Sequence, residues 1–414
     1  MAVSYTLLAI SHTLMTFKSD FPLLQNNPDC IYLDNAATVQ KPQQVIDAVN
    51  NFILNDYANV HRGVYDLSQR AEEVFWNARK TVANRHECRS DEVVFTPWTT
   101  IGINMLTSSL QRSWWVDAES VIVLSQWEHH ANIVPWQVLS KQTWATIKWI
   151  PVDEYGIIDY DSLQRIVNEW WVTLMAVQSC SNVTWAIHDL VRVRAILWDE
   201  TMLVVDASQS VAHYALPSEV SPDFLFWTWH KIGAYTGCGV MIGKKEYLTR
   251  LQPWRGWGGA IERVTKQHHT YQWSPDKFEP GTPNLIGAVS IATALEYLWS
   301  IGWYDMIHAY ETNLVDYCLE QLLLIENSSD LKLLWPRNSD QRIGVFWFMS
   351  ETRNLHQLGQ QLAQEWICVR TWGQCAHPLH ESLWSDGSLR MSLRFMNTIE
   401  ECEKFFEVLN KLLS

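Results

Sequence analysis

MLVVD at residues 202–206, FLFWT at 224–228 and GVMIG at 239–243 are short, β-rich apolar runs that follow one another closely along the chain. Four earlier runs have the same character: EVVF (92–95), VIVLS (121–125), ATIKWI (145–150) and LMAVQS (174–179). Segments of helical period lie among the early ones, at 68–84, 100–111 and 131–142. Near-continuous apolar strands alternating with helices predict an α/β fold, with a mostly parallel seven-stranded sheet covered by helices on both faces. From about residue 285 the pattern changes to long helices (about 285–300 and 303–324) and a short α+β tail ending in a helix near 398–413. The expected division is a large domain over 41–295 and a smaller α+β domain over 296–414, with residues 15–40 packing on the smaller one. Residues 1–14 carry no basic segment and no cleavage site, so they read as a flexible leader or as residues upstream of a start at Met15.

The net charge of -14 argues against a nucleic-acid partner. The acidic run Glu400 to Glu403 reads as solvated helix surface. No segment reaches membrane length without charges, so the expected place of work is the cytoplasm. The eight cysteines are scattered without a C-x-x-C pair, which predicts no metal site and a reducing compartment. Seven read as inert buried thiols. Cys375 differs, because its neighbours Gly373, Gln374, His377 and Pro378 suggest an accessible loop.

Ligands of open α/β sheets bind beyond the carboxyl ends of the strands. Thr99 and Thr100 follow the first run, and Glu128, His129 and His130 the second. Ser181 and Asn182 follow LMAVQS, MLVVD ends in Asp206 with Gln209 one turn on, and His230 and Lys231 follow FLFWT. Taken singly, each has a plainer reading: an aspartate or threonine beyond a strand is usually a helix cap, and a lone lysine sits on the surface. Together they suit pyridoxal phosphate (PLP). Its aldehyde needs an amine, its ring nitrogen a carboxylate, its face a flat ring, and its phosphate hydroxyls and a helix N-terminus. Lys231, Asp206, His129, and Thr100 with Thr228 and His230 fill these roles in turn.

Several blocks resemble those of class V, fold-type-I PLP enzymes: Gln126-Trp-Glu-His129-His-Ala-Asn132, Ser181-Asn182-Val, Asp206-Ala-Ser-Gln209, Thr228-Trp-His230-Lys231 and Glu279-Pro-Gly-Thr282-Pro-Asn284. Val60-His61-Arg62-Gly63, Arg370-Thr371 with Cys375-Ala376, and Arg390-Met-Ser392 are similar to the group II cysteine desulfurases of the sulfur-mobilisation (SUF) type. The resemblance runs from about Phe21 to the C-terminus. It implies that L-cysteine is converted to L-alanine, with Lys231 moving the α-proton, His129 assisting and Cys375 taking the sulfur as a persulfide. It further implies Arg390 as the substrate-carboxylate partner, supported by Arg370 and Asn182. His61, Arg62 and Thr282 are implied site residues near a homodimer interface, and a SUF sulfur-acceptor protein is the implied partner in iron–sulfur cluster assembly. A selenocysteine lyase or an aminotransferase is the alternative, and transamination has no use for a nucleophilic loop cysteine.

One departure is systematic. The chain has 24 Trp and 17 Gly, where average usage gives roughly 29 Gly. Tryptophan stands where the family pattern has glycine at Trp98, Trp185, Trp229 and Trp372, and Trp144, Trp335 and Trp384 look alike. UGA encodes glycine in some bacterial lineages and tryptophan in others, so the expectation is glycine at these places in the protein's own host. The alternative is a divergent, inactive paralogue. Trp136, in Pro-Trp-Gln, matches a tryptophan of the family.

Overall fold

In the computed structural model, seven strands form the central sheet: β1 (Val93–Thr96), β2 (Val121–Ser125), β3 (Thr146–Ile150), β4 (Val172–Gln178), β5 (Met202–Asp206), β6 (Phe224–Thr228) and β7 (Gly239–Gly243). The structure describes residues 17–153, 156–256, 258–334, 336–383 and 387–414; the leader, the start at Met15, Trp335 and Trp384 lie outside them. The sheet order is β1-β7-β6-β5-β4-β2-β3. All pairs are parallel except those of β7, which runs antiparallel to both β1 and β6. Every residue of β2, β5 and β6 is buried. That is why these strands read as unbroken apolar runs rather than alternating ones.

Helix α1 (Gln43–Asn55), α2 (Asp66–Arg85) and the apolar α4 (Leu285–Ser300) pack together on one side of the sheet, through Val49, Phe52, Ala71, Phe75, Leu285 and Ala288. Helix α3 (Thr99–Arg112) covers another part, burying Ile103, Leu106 and Leu110 with Phe224 and Phe226. A π-turn at Trp303–Ile307 precedes α5 (His308–Ser328).

The C-terminal part holds a second sheet of β8 (Lys332–Leu334), β9 (Val345–Met349), β10 (Arg370–Thr371) and β11 (Leu389–Ser392), in the order β8-β9-β11-β10 and all antiparallel. The short strand Ile31–Tyr32 pairs in parallel with Ile367–Cys368, and Asp34 bridges to Ser392. The early segment is thereby sewn to the C-terminal part. The final helix, α6 (Ile399–Leu413), opens with a Thr398/Glu401 capping box. Glu401 corrects the reading of 400–403 as solvated surface: it is buried, ion-paired to Lys18 and accepts from Asn397 at 2.9 Å. Only Glu400 and Glu403 face solvent in that run.

Among the described residues three helices close on a tryptophan in the left-handed region, and a fourth, Tyr160–Glu169, ends on Trp170 with extended backbone. After α3, Trp114 N–H bonds the Gln111 carbonyl at 3.1 Å and Trp115 N–H bonds Leu110 at 3.1 Å, a Schellman closure. Trp144 N–H bonds Ser140 at 2.7 Å after the helix Val134–Thr143, and Trp366 N–H bonds Ala363 at 3.2 Å after Leu355–Gln364. All three tryptophans have left-handed backbone. Such conformations cost a side-chain-bearing residue about 1–3 kcal/mol each. Among the described residues no single helix is long and apolar enough to cross a membrane.

Candidate functional site

The carboxyl ends of β4, β5 and β6 open into a cavity of about 410 Å³. Its lining includes Thr100, His129, Asn182, Asp206, Gln209, Thr228, His230 and Lys231 from the large sheet's edge, and Arg370, Cys375 and Arg390 from the C-terminal part. The structure thus brings together eleven of the fourteen residues expected at the site. His61, Arg62 and Thr282 are not among the lining residues. His61 and Arg62 are exposed, and Thr282 borders a separate cavity with Phe95, Cys238 and Asn284.

Lys231 follows β6 on a short 3-10 turn. Burial lowers its pKa to about 8, against the opposing pull of Asp206. An amine that sheds its proton near neutrality suits both carbonyl condensation and α-proton abstraction. Asp206 ends β5; burial raises its carboxyl above the ordinary range, while the Ser208 N–H donated to it at 2.9 Å opposes the rise. It is therefore a buried carboxylate suited to a cationic ring nitrogen.

His129 caps the turn after β2, its Nδ1 accepting the Ala131 N–H at 3.1 Å. That bond leaves any ring proton at Nε2. Burial, then the nearby Lys231, lowers its pKa to about 3, so the ring is neutral. Beneath it, buried Glu128 accepts from Ser125 at 2.6 Å, Asn132 at 2.8 Å and the Gln178 N–H at 2.9 Å, and Asn132 accepts the Trp136 indole N–H at 3.0 Å. This network sets the turn that carries His129.

Arg390 is buried, and burial lowers its pKa to about 10 against the pull of Asp34. It faces Arg370 across the β10/β11 ladder. Asp34 bridges the two: Arg390 donates to it at 3.1 Å and Arg370 at 3.2 Å. Cys375 is exposed, with φ 58°, on a turn whose neighbours Trp372 and Gln374 also have positive φ. Three bonds hold that turn. The Asn182 amide donates to the Gln374 carbonyl at 2.8 Å, His130 N–H to the Cys375 carbonyl at 3.0 Å, and His377 N–H to the His130 Nε2 at 2.9 Å.

Sequence reasoning missed Asp34 and the positioning bonds of His130. His130 was visible beside His129, but its partners lie some 245 residues on in the chain.

Buried polar atoms left without a partner point to what the cavity holds: Asn182 Oδ1, His230 Nδ1, Gln374 Nε2 and Oε1, and Arg390 Nε. Buried polar groups are ordinarily satisfied, and the residues that carry these atoms line one space. With the amine of Lys231, the carboxylate of Asp206 and the hydroxyls at the α3 N-terminus, they fit pyridoxal phosphate and an amino-acid carboxylate. Trp98, at the N-cap of α3, and Trp372 also line the cavity. Trp229 does not. Its ring meets Phe95 at 5.1 Å, in the cavity that holds Thr282.

Comparison with known proteins agrees with this geometry. Residues 31–405 match the model of the class-V aminotransferases. The chain is 36% identical over 402 residues to a cysteine desulfurase of Escherichia coli (strain K12 / DH10B) and to one of Shigella sonnei (strain Ss046), covering 95% of this chain and 97% of each of theirs. Among solved structures, the apo cysteine desulfurase of Thermococcus onnurineus NA1 superposes with a TM-score of 0.90 at 32% identity, over 96% of this chain and 97% of that one. A cysteine desulfurase of Escherichia coli in its S-sulfonic acid form gives 0.86 at 28%, over 97% and 99%. These enzymes are PLP-dependent. With the fold, the lysine–aspartate pair and near-complete coverage in agreement, the chain belongs to the class-V aminotransferase family.

Proposed function

We propose that this chain is a PLP-dependent cysteine desulfurase of the SUF type, which takes sulfur from L-cysteine onto Cys375 and releases L-alanine. One observation carries the reading: an exposed cysteine, Cys375, lines the same cavity as Lys231, Asp206 and Arg390. Arg390 binds the substrate carboxylate, and Arg370 supports it through the shared Asp34. Lys231, free to lose its proton near neutrality, takes the α-proton. His129 holds or returns a proton at Nε2. Cys375, as a thiolate, attacks the substrate sulfur: an S–S bond forms, the substrate's C–S bond breaks, and the carbon fragment is protonated to alanine. When bound, the cofactor would take up the electron pair left by the departing α-proton, while the pair of the broken C–S bond stays with the β-carbon and is closed by a proton. Thr100, Gln209, Thr228 and His230 hold its phosphate and ring substituents.

His61, Arg62 and Thr282 stand outside this cavity in one chain, which suits a homodimer in which a second copy lends them. A SUF sulfur-acceptor protein would collect the persulfide from the exposed Cys375 turn for iron–sulfur cluster assembly in the cytoplasm.

Cys375→Ser tests the reading. Alanine and sulfide formation should be abolished, while cofactor content and the spectral response to added cysteine stay those of the parent. Parental sulfide release by the serine variant overturns the assignment.

A further inference from the structure

Five tryptophans hold backbone that a bulky residue avoids. Trp114, Trp144, Trp185, Trp366 and Trp372 have φ of 58°, 67°, 60°, 60° and 86°. In this region Cβ crowds the carbonyl oxygen, so only glycine, and at times asparagine or aspartate, enters it routinely. Tryptophan supplies 24 of 414 residues. Among the described residues it nonetheless supplies five of the ten non-glycine positions of positive φ.

The hydrogen bonds make the pattern specific. Trp114 and Trp366 follow the C-cap, and Trp144 closes its helix with a bond back to Ser140. Those are the places where chains put glycine to reverse direction and satisfy the last carbonyls. Nothing at these positions calls for an indole, since Trp114 is 87% and Trp144 81% exposed.

Burial supplies an independent observation. Trp185 is fully buried, yet its indole N–H has no partner. Trp227, Trp229 and Trp347 are buried with the same orphan donor. A buried tryptophan normally finds a hydrogen-bond partner, and others in this chain do. Trp136 donates to Asn132 at 3.0 Å and Trp303 to the Ala212 carbonyl at 3.3 Å.

We propose that the protein made in its own host carries glycine at positions 114, 144, 185, 366 and 372, read from UGA codons, while Trp136 and Trp303 are true tryptophans read from UGG. The set reaches 229 and 98 only through the family pattern, because the orphan N–H of Trp229 is shared by Trp227 and Trp347 and the φ of -157° at Trp98 is open to any residue. Glycine at 372 removes an indole from the lining of the cavity beside Cys375.

The gene and the native protein decide this together. Expected are UGA at codons 114, 144, 185, 366 and 372 with UGG at 136 and 303, and native-host peptides that carry glycine at the five sites. UGG at the five codons, or tryptophan in those peptides, overturns the proposal. A second arm needs no native host. The chain with all five changed to glycine should melt at a higher temperature than the chain with tryptophan, whereas Trp136→Gly and Trp303→Gly should each melt lower. An unchanged or lowered melting temperature for the five-glycine chain also counts against it.

Discussion

The backbone N–H of His130 donates to the carbonyl of Cys375 at 3.0 Å, while its ring Nε2 accepts the N–H of His377 at 2.9 Å. One residue therefore grips the cysteine turn on both sides. The ring accepts only when neutral. Burial, helped by the His377 ring 4.5 Å away, holds its pKa below the ordinary histidine value. His130→Ala should leave cofactor content unchanged, lower kcat about fivefold and speed iodoacetamide labelling of Cys375. The estimate takes one lost hydrogen bond at about 1 kcal/mol. His130 favours the neutral form in the folded protein, so the grip is intact at neutral pH. It weakens as pH falls below about 6.5, where acid charges the ring. Labelling of the parent should therefore quicken in acid relative to the alanine variant, after allowance for thiol ionisation. Equal pH profiles would remove His130 from this role.

Lys231 should weaken the cofactor-free protein. Its pKa falls from 10.5 to about 8 through burial. A depressed lysine penalises folding while both states carry the charge. The penalty is full below about pH 8 and gone above about 10.5. At about 1.4 kcal/mol per unit it comes to about 3.5 kcal/mol. Lys231→Met apoprotein should be more stable than the parent at pH 7 by up to that amount, with the gain fading towards pH 10.5, as read by urea denaturation. Desulfuration should fall by about 10²–10⁴, the usual worth of a positioned base. In the parent, borohydride should fix the cofactor to the peptide containing Lys231 and to no other lysine.

Arg390→Lys should raise KM for L-cysteine about 10–100-fold with cofactor content unchanged, since an ammonium cannot grip a carboxylate with two parallel bonds. Asp34→Asn should act in the same direction, because it leaves buried Arg390 without its anionic partner. Steady-state kinetics on both variants checks this, and a loss confined to kcat would place Asp34 outside substrate binding.

The strands were legible because burial on both faces writes them as apolar runs: 121–125, 202–206, 224–228 and 239–243 agree to the residue. The antiparallel course of β7 was not, since an apolar run carries no direction. The place of Asp206 and Lys231 at the cavity was legible because the first ends such a run and the second lies three residues beyond one. Asp34 was not, because its partners Arg370 and Arg390 lie more than 330 residues away. The place of Trp229 was not legible either: two residues before Lys231, its ring packs on Phe95 outside the lysine's cavity.

The pairing of Ile31–Tyr32 with Ile367–Cys368 has a consequence for how the molecule is made. On the ribosome, the central sheet is complete once Gly243 has emerged, and Lys231 and Asp206 can then take their places. The early strand must wait for more than 120 further residues before its neighbour exists. Until then the edge of Ile31–Tyr32 is unpaired and the arginines and Cys375 are absent. The lysine pocket is therefore assembled first, and the thiol that uses it arrives among the last parts of the chain to be synthesised.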